Sequence, residues 1–178
     1  MDTHEVQRGE HAMWWGAIAS VVSGIVVLLA MALHIWPARH PLSVLMLQWL
    51  GRTYLGHEGS TVATWLLAGV IHVTYGALSG AFLVMITDRA RWSEVLGFGA
   101  LRWFATNVLV APTLGWGDFG FLALPAVALA TMLPHLAYAL SLGWLMRQED
   151  AGRAPIPLHF HWPHLHLRPL HLGRTRRH

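Results

Sequence analysis

Five side chains with chemical capability stand in stretches otherwise too apolar to carry them. His72, Tyr75, Gly76 and Gly80 recur 63 positions later as His135, Tyr138, Ala139 and Gly143. The shared offsets of 0, 3, 4 and 8 put each set on one face of a helix that turns about 100° per residue. Paired imidazoles on facing helices of a bundle could ligate a haem b or touch a quinone or other small ligand. A plain packing role is the alternative, because a His with Tyr three residues on can satisfy its hydrogen bonds without a cofactor.

Arg102 is the fifth group. It cannot lose its charge and so needs a partner. No Asp or Glu lies inside the apolar stretches; Glu94 and Asp118 stand at their ends. Three partners fit: lipid phosphate or carbonyls freed by prolines, a carboxylate on another subunit, or an anionic ligand such as a haem propionate, a quinone oxygen or a lipid headgroup. Thr106 and Asn107 lie close enough in sequence to assist any of them.

A second concentration of imidazoles closes the chain, where six of its thirteen His residues fall after Met146. His159 and His161, then His164 and His166, form His-x-His pairs, with His171 beyond them. Alternate residues of an extended chain share a face, so each pair could hold Zn, Ni or Cu. Pro157, Pro163 and Pro169 favour an extended arm. Interleaved Leu, Phe and Trp with Arg suit docking on anionic headgroups or on another subunit, tightened when His charges below about pH 6.5. A disordered arm is the third reading, and the apolar content makes nucleic acid a poor partner.

These groups must be held by elements that the composition identifies. Of 178 residues, 54% are hydrophobic and 12% charged, against about 25% charged in soluble domains. Such a chain uses lipid as solvent. Cys and Lys are both absent, which excludes disulfides, thiolate metal sites and Cys nucleophiles. A spanning helix needs about 20 mostly apolar residues, and four stretches qualify: 13–36, 62–86, 93–113 and 119–146. His72 and His135 then belong near the bilayer middle, and Arg102 about 13 Å deep. Segment 41–56 is too short to span and reads as an interfacial helix. The expected architecture is an all-α integral membrane protein of two tandem helical hairpins, related by an axis along the membrane normal. It is preceded by a segment 1–12 and followed by a tail 147–178.

Orientation follows the Arg residues. With both termini cytoplasmic, nine Arg lie inside and only Arg39 and Arg52 outside. Trp14, Trp15, Trp92 and Trp144 would ring the inner interface, and Trp36, Trp65 and Trp116 the outer one. Ala30, Met31 and Ala32 suggest a signal-peptidase site, but the preceding residues are net acidic where a secretory leader is basic. Gly16, Ser20 and Gly24 form a small-residue stripe suited to close helix packing, and Pro112, Pro125 and Pro134 would bend their helices.

At the repeated motif the chain resembles the YagU-like group of uncharacterised bacterial four-helix inner-membrane proteins, which show similar His-x-x-Tyr-Gly-x-x-x-Gly signatures in alternate helices. The resemblance covers His72 to Gly80, His135 to Gly143 and the four-span plan. It implies a bacterial inner-membrane location and no established reaction. No nucleophile with its base, phosphate loop or zinc-protease motif is present, and proton-coupled transport would have only His to relay through. The sequence thus points to a non-enzymatic accessory subunit or scaffold, with a partner membrane subunit or a second copy as its neighbour. Metal handling by the tail and haem or quinone binding are the competing functions. The scaffold reading expects no Soret band from the purified protein. It also expects equal Zn and Ni affinity, by calorimetry, in the full chain and in residues 1–150; tighter binding by the full chain supports metal handling instead.

Overall fold

The computed structural model describes residues 3–36, 40–55, 61–87, 91–120 and 126–152, all of them helical or connecting. The tail histidines therefore lie outside the described residues, as does Pro125. Helix α1 (Thr3–Ala32) is followed by α2 (Leu42–Leu50), which runs into a π turn at Gly51–Leu55. Then come α3 (Thr61–Ile86) and α4 (Trp92–Ala105). A π turn at Thr106–Val110 joins α4 to the single-turn α5 (Ala111–Thr113), and a 3-10 turn at Asp118–Gly120 precedes α6 (Ala126–Asp150).

Four helical stretches are long and apolar enough to cross a membrane: Gln7–Ala32, Val62–Ile86, Trp92–Thr113 and Val127–Asp150. Their ends differ from the apolar windows for identifiable reasons. Helix α1 starts ten residues before the expected span, because polar residues continue a helix that lipid alone would not require. It ends at His34, which takes the left-handed conformation (φ 58°) while the Ile35 N–H bonds back to the Ala30 carbonyl, the usual helix-closing arrangement. The last long helix starts at Ala126, not at 119, because Asp118–Gly120 forms a separate turn with Phe119 at φ 56°. At the start of α4, the Glu94 carboxylate accepts the Arg91 backbone N–H at 3.3 Å, which suits the positive end of the helix dipole.

Neighbouring long helices alternate in direction. Arg8 near the start of α1 donates to the Thr87 carbonyl just past α3 (3.1 Å). Trp15 of α1 donates to Glu149 at the end of α6 (2.5 Å), and His11 pairs with the same carboxylate. Arg147 near the end of α6 lies over the Trp92 ring that opens α4. The main packed seams are α1 with α3, α1 with α6 and α4 with α6, and α2 rests on α3. Two of the tryptophans expected at an interface are buried against protein: Trp15 in a cluster with Ala19 and Leu83, its N–H on Glu149, and Trp36 by packing with Val27 and Ala30.

The repeated motif lies in two of these seams, α1 with α3 and α4 with α6. On α3, Gly76 and Gly80 lie against Ser20, Gly16 and Ala12 of α1, so closely that a Cβ on Gly80 would collide with the Ala12 carbonyl. On α6, Ala139 lies against Gly99 of α4, and Gly143 against Trp92 and Val95. Each copy thus faces the long helix that precedes its own. Outward faces are apolar, with Val21, Ile25 and Leu29 of α1 and Leu66, Val70 and Leu78 of α3 all exposed. Replacing Gly80 with Ala is expected to lower stability by about 1–3 kcal/mol through overpacking. Gly69→Ala, where nothing lies within 4 Å of the added carbon, is expected to stay within about 0.5 kcal/mol. Detergent-denaturation equilibria of the two variants check the contrast.

Candidate functional site

The side chains singled out by the sequence gather around Arg102. Helix α4 carries this residue ten positions from its start and buries it to 7% exposure. Its guanidinium carbon sits 3.7 Å from the centroid of the Tyr138 ring on α6 and 4.5 Å from that of Tyr75 on α3. The cation therefore lies over two aromatic rings. Each such contact contributes about 2 kcal/mol when desolvated. Against it the described residues place the two tyrosines of the repeat. Tyr138 is fully buried and donates its hydroxyl to the Gly76 carbonyl at 2.7 Å, tying α6 to α3. Tyr75 remains 46% exposed.

The two histidines do not face each other as a ligand pair. His72 turns to α1, where its Nε2 donates to the Ser20 carbonyl at 3.0 Å while the Ser20 hydroxyl donates to the His72 carbonyl at 2.8 Å. This reciprocal pair fixes the Nε2–H tautomer, as inferred from its partners. His135 turns to α4. Its Nδ1 donates to the Thr131 carbonyl at 2.7 Å, so its Nε2 accepts the Thr106 hydroxyl at 3.1 Å. Ligation of a metal through Nε2 of either ring would break one of these bonds. The Arg102 charge lies within electrostatic reach of both imidazoles, so protonating either one would add a second positive charge to the same core.

A polar ladder continues along the α4–α6 seam. Asn107, buried, donates to the Trp103 carbonyl (2.8 Å) and to the Thr131 hydroxyl (3.2 Å), which in turn donates a hydrogen bond to the Ala128 carbonyl (3.0 Å). Trp103 Nε1 also donates to that carbonyl at 2.9 Å. On the α1–α6 seam the Ser23 hydroxyl donates to the Pro134 carbonyl at 2.8 Å. Sequence reasoning passed over Ser23, Thr131 and Glu149. A signal existed for Thr131, which precedes His135 by four residues and so shares its helix face. Ser23 and Glu149 act across helices far apart in the chain, and no local spacing marks them.

Among the described residues, no three His, Asp or Glu side chains stand close enough together to hold a metal ion. Comparison with protein-family models, with curated proteins and with solved structures finds no match to this chain.

Removing only the Tyr138 hydroxyl with Tyr138→Phe is expected to cost about 0.5–1.5 kcal/mol, the size of one interhelical hydrogen bond. Tyr138→Leu also removes the aromatic face from Arg102, and its cost should exceed that of the Phe variant by about 1–2 kcal/mol. Equilibrium unfolding in mixed micelles measures both; equal costs would show that the ring contributes nothing to holding the cation.

Proposed function

We propose that this chain is a non-enzymatic integral membrane protein of the bacterial inner membrane, an accessory subunit or scaffold of a membrane complex. Its four apolar helices cross the bilayer as two tandem hairpins with both termini cytoplasmic, and α2 lies at the outer interface. One observation carries the reading. Apart from Arg102, the polar side chains buried among the described residues bond to backbone carbonyls and to one another, many of them across helix seams, while the outward faces are apolar. Polar groups used in this way hold helices together where lipid removes the hydrophobic drive for association.

The Arg distribution supports the orientation, and the alternating helix directions bring the start of α1 and the end of α6 to one end. The motif at His72 and His135 supports kinship with the YagU-like group. In this reading the arm after Asp150 docks on anionic lipid or on a partner subunit.

Because the natural chain lacks Cys, single-cysteine variants report topology without background. In intact cells a membrane-impermeant maleimide is expected to label Arg52→Cys and to reach Arg91→Cys only after lysis; the reverse pattern would invert the orientation. Gentle extraction followed by affinity capture and mass spectrometry tests the role. Stoichiometric recovery of a second membrane protein supports an accessory subunit. A stable, homogeneous protein that purifies alone removes the obligate form of that role.

A further inference from the structure

The Arg102 guanidinium lies over the Tyr138 and Tyr75 rings, but a π face offers no lone pair to an N–H donor. Nε and Nη1 of Arg102 are fully enclosed and have no acceptor among the described residues. The other buried polar side chains, Ser20, Ser23, Ser79, Asn107 and Thr131, each have one. Arg102 is thus the one member of that buried group left with open donors, and it is also the charged one. A buried donor without an acceptor is costly, and more so when it carries charge.

The chain offers no described carboxylate at this depth. Glu10, Glu94, Glu149 and Asp150 all gather at the end of the bundle where α1 and α4 start. Glu94 is eight residues from Arg102 along α4, about 12 Å at the helical rise. On the side of α3 the cover is lighter. Helices α3 and α4 form no main backbone seam and meet through side chains, Phe82 with Phe98 and Tyr75 with Arg102. Tyr75 is half exposed where Tyr138 is sealed.

We propose that Arg102 anchors an oxyanion site inside the bundle, with Nε and Nη1 donating to a carboxylate or phosphate oxygen that arrives between α3 and α4 past the Tyr75 ring. The cation is permanently charged, so the site needs no protonation step. Carboxylate and phosphate oxygens share the geometry that a guanidinium prefers. The anion comes either from an amphiphile in the bilayer or from water.

The full chain in neutral detergent tests this by native mass spectrometry and thermal unfolding, with phosphatidylglycerol, palmitate or inorganic phosphate added and phosphatidylcholine as the zwitterionic control. At least one of the three anions is expected to be retained and to raise the wild-type midpoint. Its affinity is expected to fall about tenfold or more in Arg102→Gln. A response to phosphatidylglycerol or palmitate alone assigns the anion to the bilayer, and a response to inorganic phosphate assigns it to water. Equal binding by wild type and Arg102→Gln overturns the site, and so does a wild-type midpoint that none of the three anions moves. If the Gln variant does not accumulate, Arg102→Lys carries the comparison. That variant keeps the charge without the planar donors, so it is expected to bind several-fold more weakly, and affinity equal to wild type overturns the proposal.

Discussion

A guanidinium cannot shed its charge, so a helix that carries one at its eleventh position must find surroundings that tolerate it. The chain does this with two tyrosines from two different helices, both rings within 4.5 Å of the Arg102 guanidinium carbon. Three helices are thereby committed to a common level. Helix α4 supplies the cation, α3 and α6 supply the rings, and the Tyr138 hydroxyl locks α6 to the backbone of α3 at Gly76. That backbone is within reach because α1 presses against Gly76 with Ser20 and Gly16. The fourth helix therefore enters through steric closeness, not through charge.

Small residues and polar residues divide the labour along these seams. Where glycines meet, as at Gly16 with Gly80, the helices approach until only backbone separates them. Where they diverge, short side chains bridge the gap, as with Ser23 to Pro134 and Thr106 to His135. The π turn at Thr106–Val110 falls where α4 presents Thr106 and Asn107 to α6. Single π turns within helices commonly mark such adjustments.

Much of this was legible in the sequence. Hydropathy alone located the four long helices, since a run of apolar residues that long has few other uses. The offsets of 0, 3, 4 and 8 located the faces that pack, because a helix leaves those positions little freedom. What the spacing could not supply was the identity of the neighbour. His72 and His135 occupy equivalent places in the repeat, yet one bonds a backbone carbonyl of α1 and the other a threonine of α4. Arg102 invited a search for anions because charge suggests countercharge. The tyrosines that meet it were already in view as members of the motif, read there as partners for His. Spacing could not show either that Trp15 bonds Glu149, 134 residues away, at the end of the bundle.

Most of the interhelical bonds described above end on a backbone carbonyl: that of Ser20, His72, Gly76, Ala128 or Pro134. No substitution can delete such an acceptor, because every residue type carries one. Half of each bond is therefore immune to mutation, and only the donor must be kept. The seams can consequently drift at the acceptor position without losing register, provided the side chain placed there still permits the approach. A relative could be unrecognisable along α1 and α3 and still close the same bundle with a handful of hydroxyls, imidazoles and one tyrosine.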